Sequence, residues 1–350
     1  MTRIAILGAG SWGTALSVVL SRVRKAHDTS LWVHNAALAE TLRSQRENKL
    51  YLPGISLPAA TRVTHEMPEA LMNAKVVIGA LPSVHARAIY SQALPCFTPE
   101  MIFVSATKGL EPATHLRMSK VLAQVLGQAG AVEPSQRIAV LSGPSFAAEA
   151  ARGEPTAVVI ASEHPYTSAA RGVRRYALLA DELQEELSGP TFRMYTNDDV
   201  LGVELAGAMK NVMAIAAGAC QGLGLGSNPL AALITRGLAE MTRLAVALGA
   251  RAETLSGLAG LGDLVLTCTG ALSRNRHVGI ELGKGRRLPE ILAQMRMVAE
   301  GVETAAPLLA LAREHQIEMP ITEQVDAILH RGRAPKEAIR EIMDRPLKRE

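Results

Sequence analysis

A short aliphatic run, Arg3 to Leu7, breaks into Gly8-Ala9-Gly10-Ser11-Trp12-Gly13 and continues as an amphipathic stretch from Thr14 to Val23. No other feature so narrows what the chain can fold into. The glycine spacing alone is a weak signal, but a strand before it and a helix after it make the opening turn of a doubly wound α/β sheet. Gly8 permits the tight turn, Gly10 lets a pyrophosphate approach the backbone, and Gly13 lets helix and strand pack closely. The helix start then offers unpaired N–H groups and a positive dipole end to phosphates. This loop predicts a Rossmann-type domain that binds a nicotinamide dinucleotide and uses it to move a hydride.

A chain of 350 residues is long enough for two cores. Up to about residue 190, short aliphatic runs alternate with amphipathic stretches, as in a parallel sheet covered on both faces. The expected strands are Arg3 to Leu7, Leu31 to His34, Val76 to Leu81, Ile102 to Ser105, Ile138 to Leu141, Ala157 to Ile160 and Phe192 to Tyr195. Beyond Asn197 only helical stretches follow, punctuated by Gly, Pro and Ser. Asn197 or Asp198 is the expected cap of a helix reaching Gln221, and Pro229 opens a second reaching Leu248. Shorter helices are expected over 264–269, 274–282, 289–297, 304–315, 322–330 and 335–343, with a frayed tail from Arg345. The division is therefore a dinucleotide-binding α/β domain over 1–195 and an all-α domain carrying substrate binding and catalysis over 196–350.

Composition removes several function classes. Aromatics make up 3% of the chain, too few for the stacking platforms of single-strand nucleic acid binders. A net charge of +4 is scattered rather than gathered, which suits a small anionic ligand. Three cysteines without a CxxC pair fit a reducing, cytoplasmic setting, and the nine histidines show no metal-ligand spacing. No metal is expected. Nor does any uninterrupted apolar run reach about 18 residues, so no membrane span is expected.

Cofactor choice turns on the second strand. Where an NAD-selective fold usually places Asp or Glu against the adenosine ribose, this strand ends Trp32-Val33-His34-Asn35, with Arg43 and Arg46 further on. NADPH is therefore expected to be accepted alongside NADH.

Lys210 is the only charged side chain between Leu205 and Thr235, on a helix otherwise lined by Val203, Ala206, Gly207, Met213, Ala214 and Ala217. It either snorkels from a surface groove or exchanges a proton, since desolvation brings an amine toward neutral pKa. Ser273-Arg274-Asn275 at a helix start suits an oxyanion, or is a surface capping motif. The loops holding Lys108 and Gly143-Pro144-Ser145-Phe146-Ala147 follow strands, at the carboxyl ends where such sheets bind ligands.

These residues, read in order, resemble the bacterial NAD(P)-dependent glycerol-3-phosphate dehydrogenases. The match runs through GAGSWGTAL, Asn48 to Gly54, Ser105 to Leu110, GPSFAAE from Gly143, Glu204 to Asn211, AGLGDLVLTC, SRN and Val298 to Gly301. The resemblance implies reversible reduction of dihydroxyacetone phosphate to sn-glycerol 3-phosphate, for phospholipid synthesis, by a homodimer. It implies Lys210 as proton donor and acceptor; a nearby Lys108 would help depress its pKa by like-charge repulsion. Lys108, Gly143, Ser145, Asn211, Asp263, Ser273, Arg274 and Asn275 become substrate contacts. Gly8, Gly10, Ser11, Trp12, Gly13, His34, Lys108, Ala147, Arg274, Val298 and Glu300 become cofactor contacts.

Two rivals stand beside it. A β-hydroxyacid dehydrogenase would place its catalytic Lys and an Asn one helical turn apart, whereas Lys210 and Asn211 are adjacent and position 214 is Ala. A non-catalytic NAD(P)H-sensing regulator would keep the glycine loop and need neither Lys210 nor Arg274.

Overall fold

A computed structural model describes residues 1–128, 130, 133–163, 165–167, 176–295 and 297–347. The chain divides into two compact units, Met1–Glu111 with Leu116–Glu204, and Pro112–His115 with Leu205–Glu350.

The first unit carries strands β1 (Thr2–Leu7), β2 (His27–Trp32), β3 (Arg62–Thr64), β4 (Val76–Gly79), β5 (Ile102–Ser105), β6 (Ile138–Ser142), β7 (Thr156–Ala161), β8 (Pro165–Thr167), β9 (Tyr176–Leu178) and β10 (Phe192–Asn197). Eight of them form one sheet in the order β10-β7-β6-β5-β4-β1-β2-β3, and β8 pairs with β9 separately. Helices α1 (Ser11–Leu20), α2 (Ala36–Gln45), α3 (Met67–Leu71), α4 (Ser83–Ala93), α5 (Met118–Gln128), α6 (Ala147–Arg152) and α7 (Leu179–Leu187) accompany the sheet. One apolar cluster gathers Ile4, Ile6, Leu31, Ile78 and Val104, and another Ala5, Leu7, Trp32, Val77 and Phe103. Alternate residues of each strand thus feed opposite layers, which is why the strands read as continuous aliphatic runs.

The sheet departs from the expectation in several respects. β7 runs antiparallel to β6, so the sheet is mixed rather than wholly parallel, and the short edge strand β3 carried no readable signal. β2 also runs from His27 to Trp32 rather than from Leu31 to His34, leaving His34 beyond it, and β4 ends at Gly79 rather than Leu81. The arrangement around β1 decides the position of the glycine loop. β1 pairs with both β2 and β4, and the chain builds outward to opposite sides from there. Gly8 therefore sits at the carboxyl end of the strand where the winding reverses, the position at which open α/β sheets bind ligands.

In the second unit the described residues form helices α8 (Val200–Gly222, whose first turn belongs to the first unit), α9 (Ser227–Ala247), α10 (Ala252–Ser256), α11 (Asp263–Thr269), α12 (Arg274–Gly283), α13 (Leu288–Gln294), α14 (Glu300–Glu314), α15 (Pro320–His330) and α16 (Pro335–Met343). The cap of α8 is Asp199, whose carboxylate accepts from Gly202 N at 2.8 Å, rather than Asn197 or Asp198. α10 was not legible, and α13 ends at Gln294, short of the expected Met297. Of the tail, residues 348–350 lie outside the described residues, while Arg345 reaches Glu318 at 2.9 Å. α8 has the length and overall hydropathy of a membrane span, but Glu204 and Lys210 interrupt it and 89% of its most apolar window is buried inside the protein, as in a core helix.

Close backbone contact sets the α8–α12 crossing. A Cβ on Gly218 would stand 2.0 Å from Arg276 O, and one on Gly279 would stand 2.0 Å from Ile215 O. One turn before Ile215 and Gly279 lie Asn211 and Asn275, so the crossing brings those two side chains together. Glu240 on α9 is fully buried and accepts from Ile321 N and Thr322 N, both at 2.9 Å, capping α15.

Candidate active site

The glycine loop of the first unit passes a direct test of fit. A Cβ on Gly8, where φ is +108°, would meet Ala80 O at 2.5 Å, and one on Gly13 would meet Gly8 O at 1.8 Å. Packing explains both glycines. Around Gly10 nothing lies within 4 Å of where a Cβ would be, so the fold itself does not require a glycine there. That open face lies at the N-terminus of α1, which has no side-chain cap and no acid in its first turn. Backbone donors of Ser11, Trp12 and Gly13 thus stand at a helix start that carries no acid of its own, as a pyrophosphate needs.

His34 is exposed beyond β2 and stacks edge-on against Trp32, with ring centroids 5.7 Å apart. Of the two arginines expected to favour a 2′-phosphate, Arg46 is committed elsewhere. Its Nη2 donates to Thr61 O at 2.9 Å and to Pro58 O. Arg43 is exposed and pairs with Glu40 at 3.4 Å. Lys108, Gly143 and Ser145 do come together: Lys108 Nζ and Ser145 Oγ each donate to Gly143 O at 2.9 Å. Gly143 follows the end of β6 with φ +123°, a backbone conformation that favours glycine. Ala147 opens α6 next to this cluster.

In the second unit Lys210 does not snorkel. It is 6% exposed, and its Nζ donates to Thr267 Oγ1 at 2.8 Å and Asn211 Oδ1 at 3.2 Å, with Asp263 Oδ1 also at 3.2 Å. The one charged side chain of that apolar stretch thus has a buried carboxylate partner from α11, which compensates its charge. Asn211 Oδ1 also accepts from Asn275 Nδ2 at 2.9 Å, and Asn275 Oδ1 accepts from Gly301 N at 3.0 Å. Those two bonds fix which way each amide points. Thr267 in turn donates to Asp263 O at 2.6 Å. Thr267 and Gly301 escaped the sequence reading. Thr267 was findable, since it follows Asp263 by one helical turn and so shares its face; Gly301 acts through its backbone and gives no side-chain signal.

Ser273 caps α12, accepting from Arg276 N at 3.2 Å, and with Asn275 it is buried, so the motif is a cap but not a surface one. Burial pulls the Arg274 guanidinium below its ordinary pKa, and the charge of Glu300 opposes that shift. A desolvated guanidinium at a helix start can take an anion strongly. Val298 stands exposed just before α14, whose first residue is Glu300.

Comparison with known proteins agrees across both units. Residues 3–168 match the family model described as the N-terminus of NAD-dependent glycerol-3-phosphate dehydrogenase, and residues 199–340 match that of its C-terminus. Glycerol-3-phosphate dehydrogenases [NAD(P)+] of Koribacter versatilis and Acidobacterium capsulatum are each 52% identical to the chain. The matches cover 99% of this chain, with 98% and 99% of the respective relatives. A solved glycerol-3-phosphate dehydrogenase from Coxiella burnetii superposes with a TM-score of 0.88 at 40% identity, covering 98% of this chain and 99% of that one.

Proposed function

The chain belongs to the NAD-dependent glycerol-3-phosphate dehydrogenase family, and on that premise we propose that it reversibly reduces dihydroxyacetone phosphate to sn-glycerol 3-phosphate. The observation that carries this reading is the buried Lys210 ammonium, held by Thr267, Asn211 and Asp263. When bound, the dinucleotide supplies the hydride from C4 of its nicotinamide. As C2 of the ketone accepts it, negative charge grows on the carbonyl oxygen, and Lys210 Nζ stabilises that charge and hands over a proton. Ketone, NAD(P)H and one proton thus give alcohol and NAD(P)+.

The surrounding residues take roles that follow from their chemistry. Asn211, oriented through Asn275 and Gly301 N, keeps an acceptor on the amine so that its protons are directed. Asp263 sets a carboxylate 3.2 Å from the amine and balances its charge. We assign Arg274, Asn275 and Ser273 to the substrate phosphate, so that binding energy remote from C2 holds the reacting carbon in place. Lys108, Gly143 and Ser145 are assigned to the substrate as well. The cofactor is assigned to Gly8, Gly10, Ser11, Trp12, Gly13, His34, Lys108, Ala147, Arg274, Val298 and Glu300. Residues 1–195 are read as the cofactor-binding part and 196–350 as the substrate-binding and catalytic part.

The missing carboxylate after β2, with exposed His34 in its place, supports acceptance of NADPH. We also propose, as the sequence resemblance implies, a cytoplasmic homodimer that supplies glycerol phosphate to phospholipid synthesis. A spectrophotometric assay of NADH and NADPH oxidation with dihydroxyacetone phosphate tests the activity. Turnover dependent on that ketone is the expected result; binding of NADPH without turnover would favour the sensing regulator instead.

A further inference from the structure

Resting on the assignment of Gly8 to Gly13 to the dinucleotide, we propose that Asn48 is a positioning residue of the cofactor site, holding the glycine loop in the shape that receives the pyrophosphate. Asn48 is 0% exposed. Its amide nitrogen donates to Ala9 O at 2.9 Å and to Thr14 Oγ1 at 2.8 Å. Ala9 immediately precedes Gly10 and Thr14 immediately follows Gly13, so one side chain ties together the two ends of the phosphate-facing turn. Backbone closes the same turn, Thr14 N donating to Gly10 O at 3.0 Å.

The chemistry needs a primary amide. Both acceptors are served by two protons on one nitrogen, while Oδ1 accepts from Tyr51 N at 3.2 Å and sets the orientation of the amide. A carboxylate at this position would turn an acceptor toward the Ala9 carbonyl and add negative charge beside the phosphate site. A hydroxyl side chain has one proton to give and an aliphatic one has none.

Asn48 is itself anchored by a strap covering residues 46–58. Arg46 caps α2 in the left-handed region with φ +53°, and its carbonyl accepts from Leu57 N at 2.7 Å. Gly54 N donates to Glu47 Oε1 at 2.9 Å, and Leu52 packs into a cluster with Ala15, Val18 and Ala151. The strap therefore clamps α1 and α6 and aims Asn48 inward at the loop. In a purely structural part an apolar side chain would serve, because burying an amide costs free energy unless it is matched. Here the matched partners both belong to the cofactor turn.

Asn48→Ala, Asn48→Gln and Thr14→Val variants of the full chain test this, with Gly10→Ala as the reference for the site itself. NADPH affinity is read by fluorescence titration, KM and kcat by steady-state assay, and folding by urea melts. Loss of two buried hydrogen bonds predicts an NADPH Kd raised roughly 10- to 30-fold in Asn48→Ala. KM for NADPH rises with it, while kcat at saturating NADPH and KM for dihydroxyacetone phosphate stay within about 3-fold of wild type. Asn48→Ala and Thr14→Val should be non-additive in Kd, because they break the same bond. Asn48→Gln, which keeps the amide but displaces it by one methylene, should weaken NADPH less than Asn48→Ala does. Should Asn48→Ala fail to fold, Thr14→Val carries the measurement. Wild-type NADPH affinity in folded Asn48→Ala or Thr14→Val, with Gly10→Ala weakened, overturns the proposal alone. If Gly10→Ala also binds NADPH as wild type does, the assignment of the loop to the cofactor fails first.

Discussion

Lys210 Nζ lies 3.2 Å from Asp263 Oδ1, and both side chains are buried in the helical unit. An ammonium in such a place is tolerable because a carboxylate and two neutral acceptors meet it. The pair therefore has a stability consequence separate from its chemistry. Asp263→Asn leaves the ammonium without its counter-charge and should destabilise the protein by about 3–5 kcal/mol. Adding Lys210→Met should restore most of that loss. Urea unfolding of the two single variants and the double variant measures it; equal stability of Asp263→Asn and wild type would refute the compensating role.

Catalysis should depend on the amine itself. Lys210→Ala is expected to lower kcat by about two to four orders of magnitude, the usual range for a positioned proton donor. NADPH affinity should be little changed, because the glycine loop is untouched. Single-turnover absorbance at 340 nm, together with NADPH titration, separates the two effects.

Arg274 should act through the phosphate. Arg274→Ala is expected to raise KM for dihydroxyacetone phosphate roughly 10- to 100-fold, as for loss of a charge-assisted pair. Reduction of unphosphorylated dihydroxyacetone, slow in wild type, should change far less. A comparable loss with both ketones would place the guanidinium's role elsewhere.

Cofactor choice should follow position 34. Introducing a carboxylate by His34→Asp is expected to lower kcat/KM for NADPH by about tenfold or more while NADH is spared, since only the former carries a 2′-phosphate. Parallel assays with the two cofactors decide it. Because Arg46 is occupied with Pro58 and Thr61 carbonyls, Arg46→Ala should act on stability rather than on cofactor selectivity.

The thiols make a separate test of the helical core. Burial pushes the Cys268 thiol up to about 12, with the positive charges of Lys210 and Arg276 opposing, and burial raises Cys220 as well. At pH 8 both are protonated and enclosed, so they should resist alkylation in the folded protein. Cys96, which is partly exposed, should react first. Titration with a chromogenic disulfide is expected to show one fast thiol, and two more only after denaturant is added.

Local pattern was enough to write down the strand–glycine–helix opening, the alternation of strands and helices, the start of α12 and the whole of α16. Each depends on residues near one another in sequence: apolar period, caps, prolines and turn glycines. Lys210 also stood out locally, because a charge within an apolar helix is conspicuous wherever the helix lies. What those patterns could not contain is partnership across distance. β7 turns antiparallel to β6, Asp263 finds Lys210, Asn275 reaches Asn211 through the α8–α12 crossing, and Asn48 reaches Ala9 and Thr14. The Asn48–Thr14 and Asn275–Asn211 bonds join residues 34 and 64 positions apart in the chain. Their geometry is settled by close packing of helices and sheet, and by the cost of leaving a buried polar group unmatched.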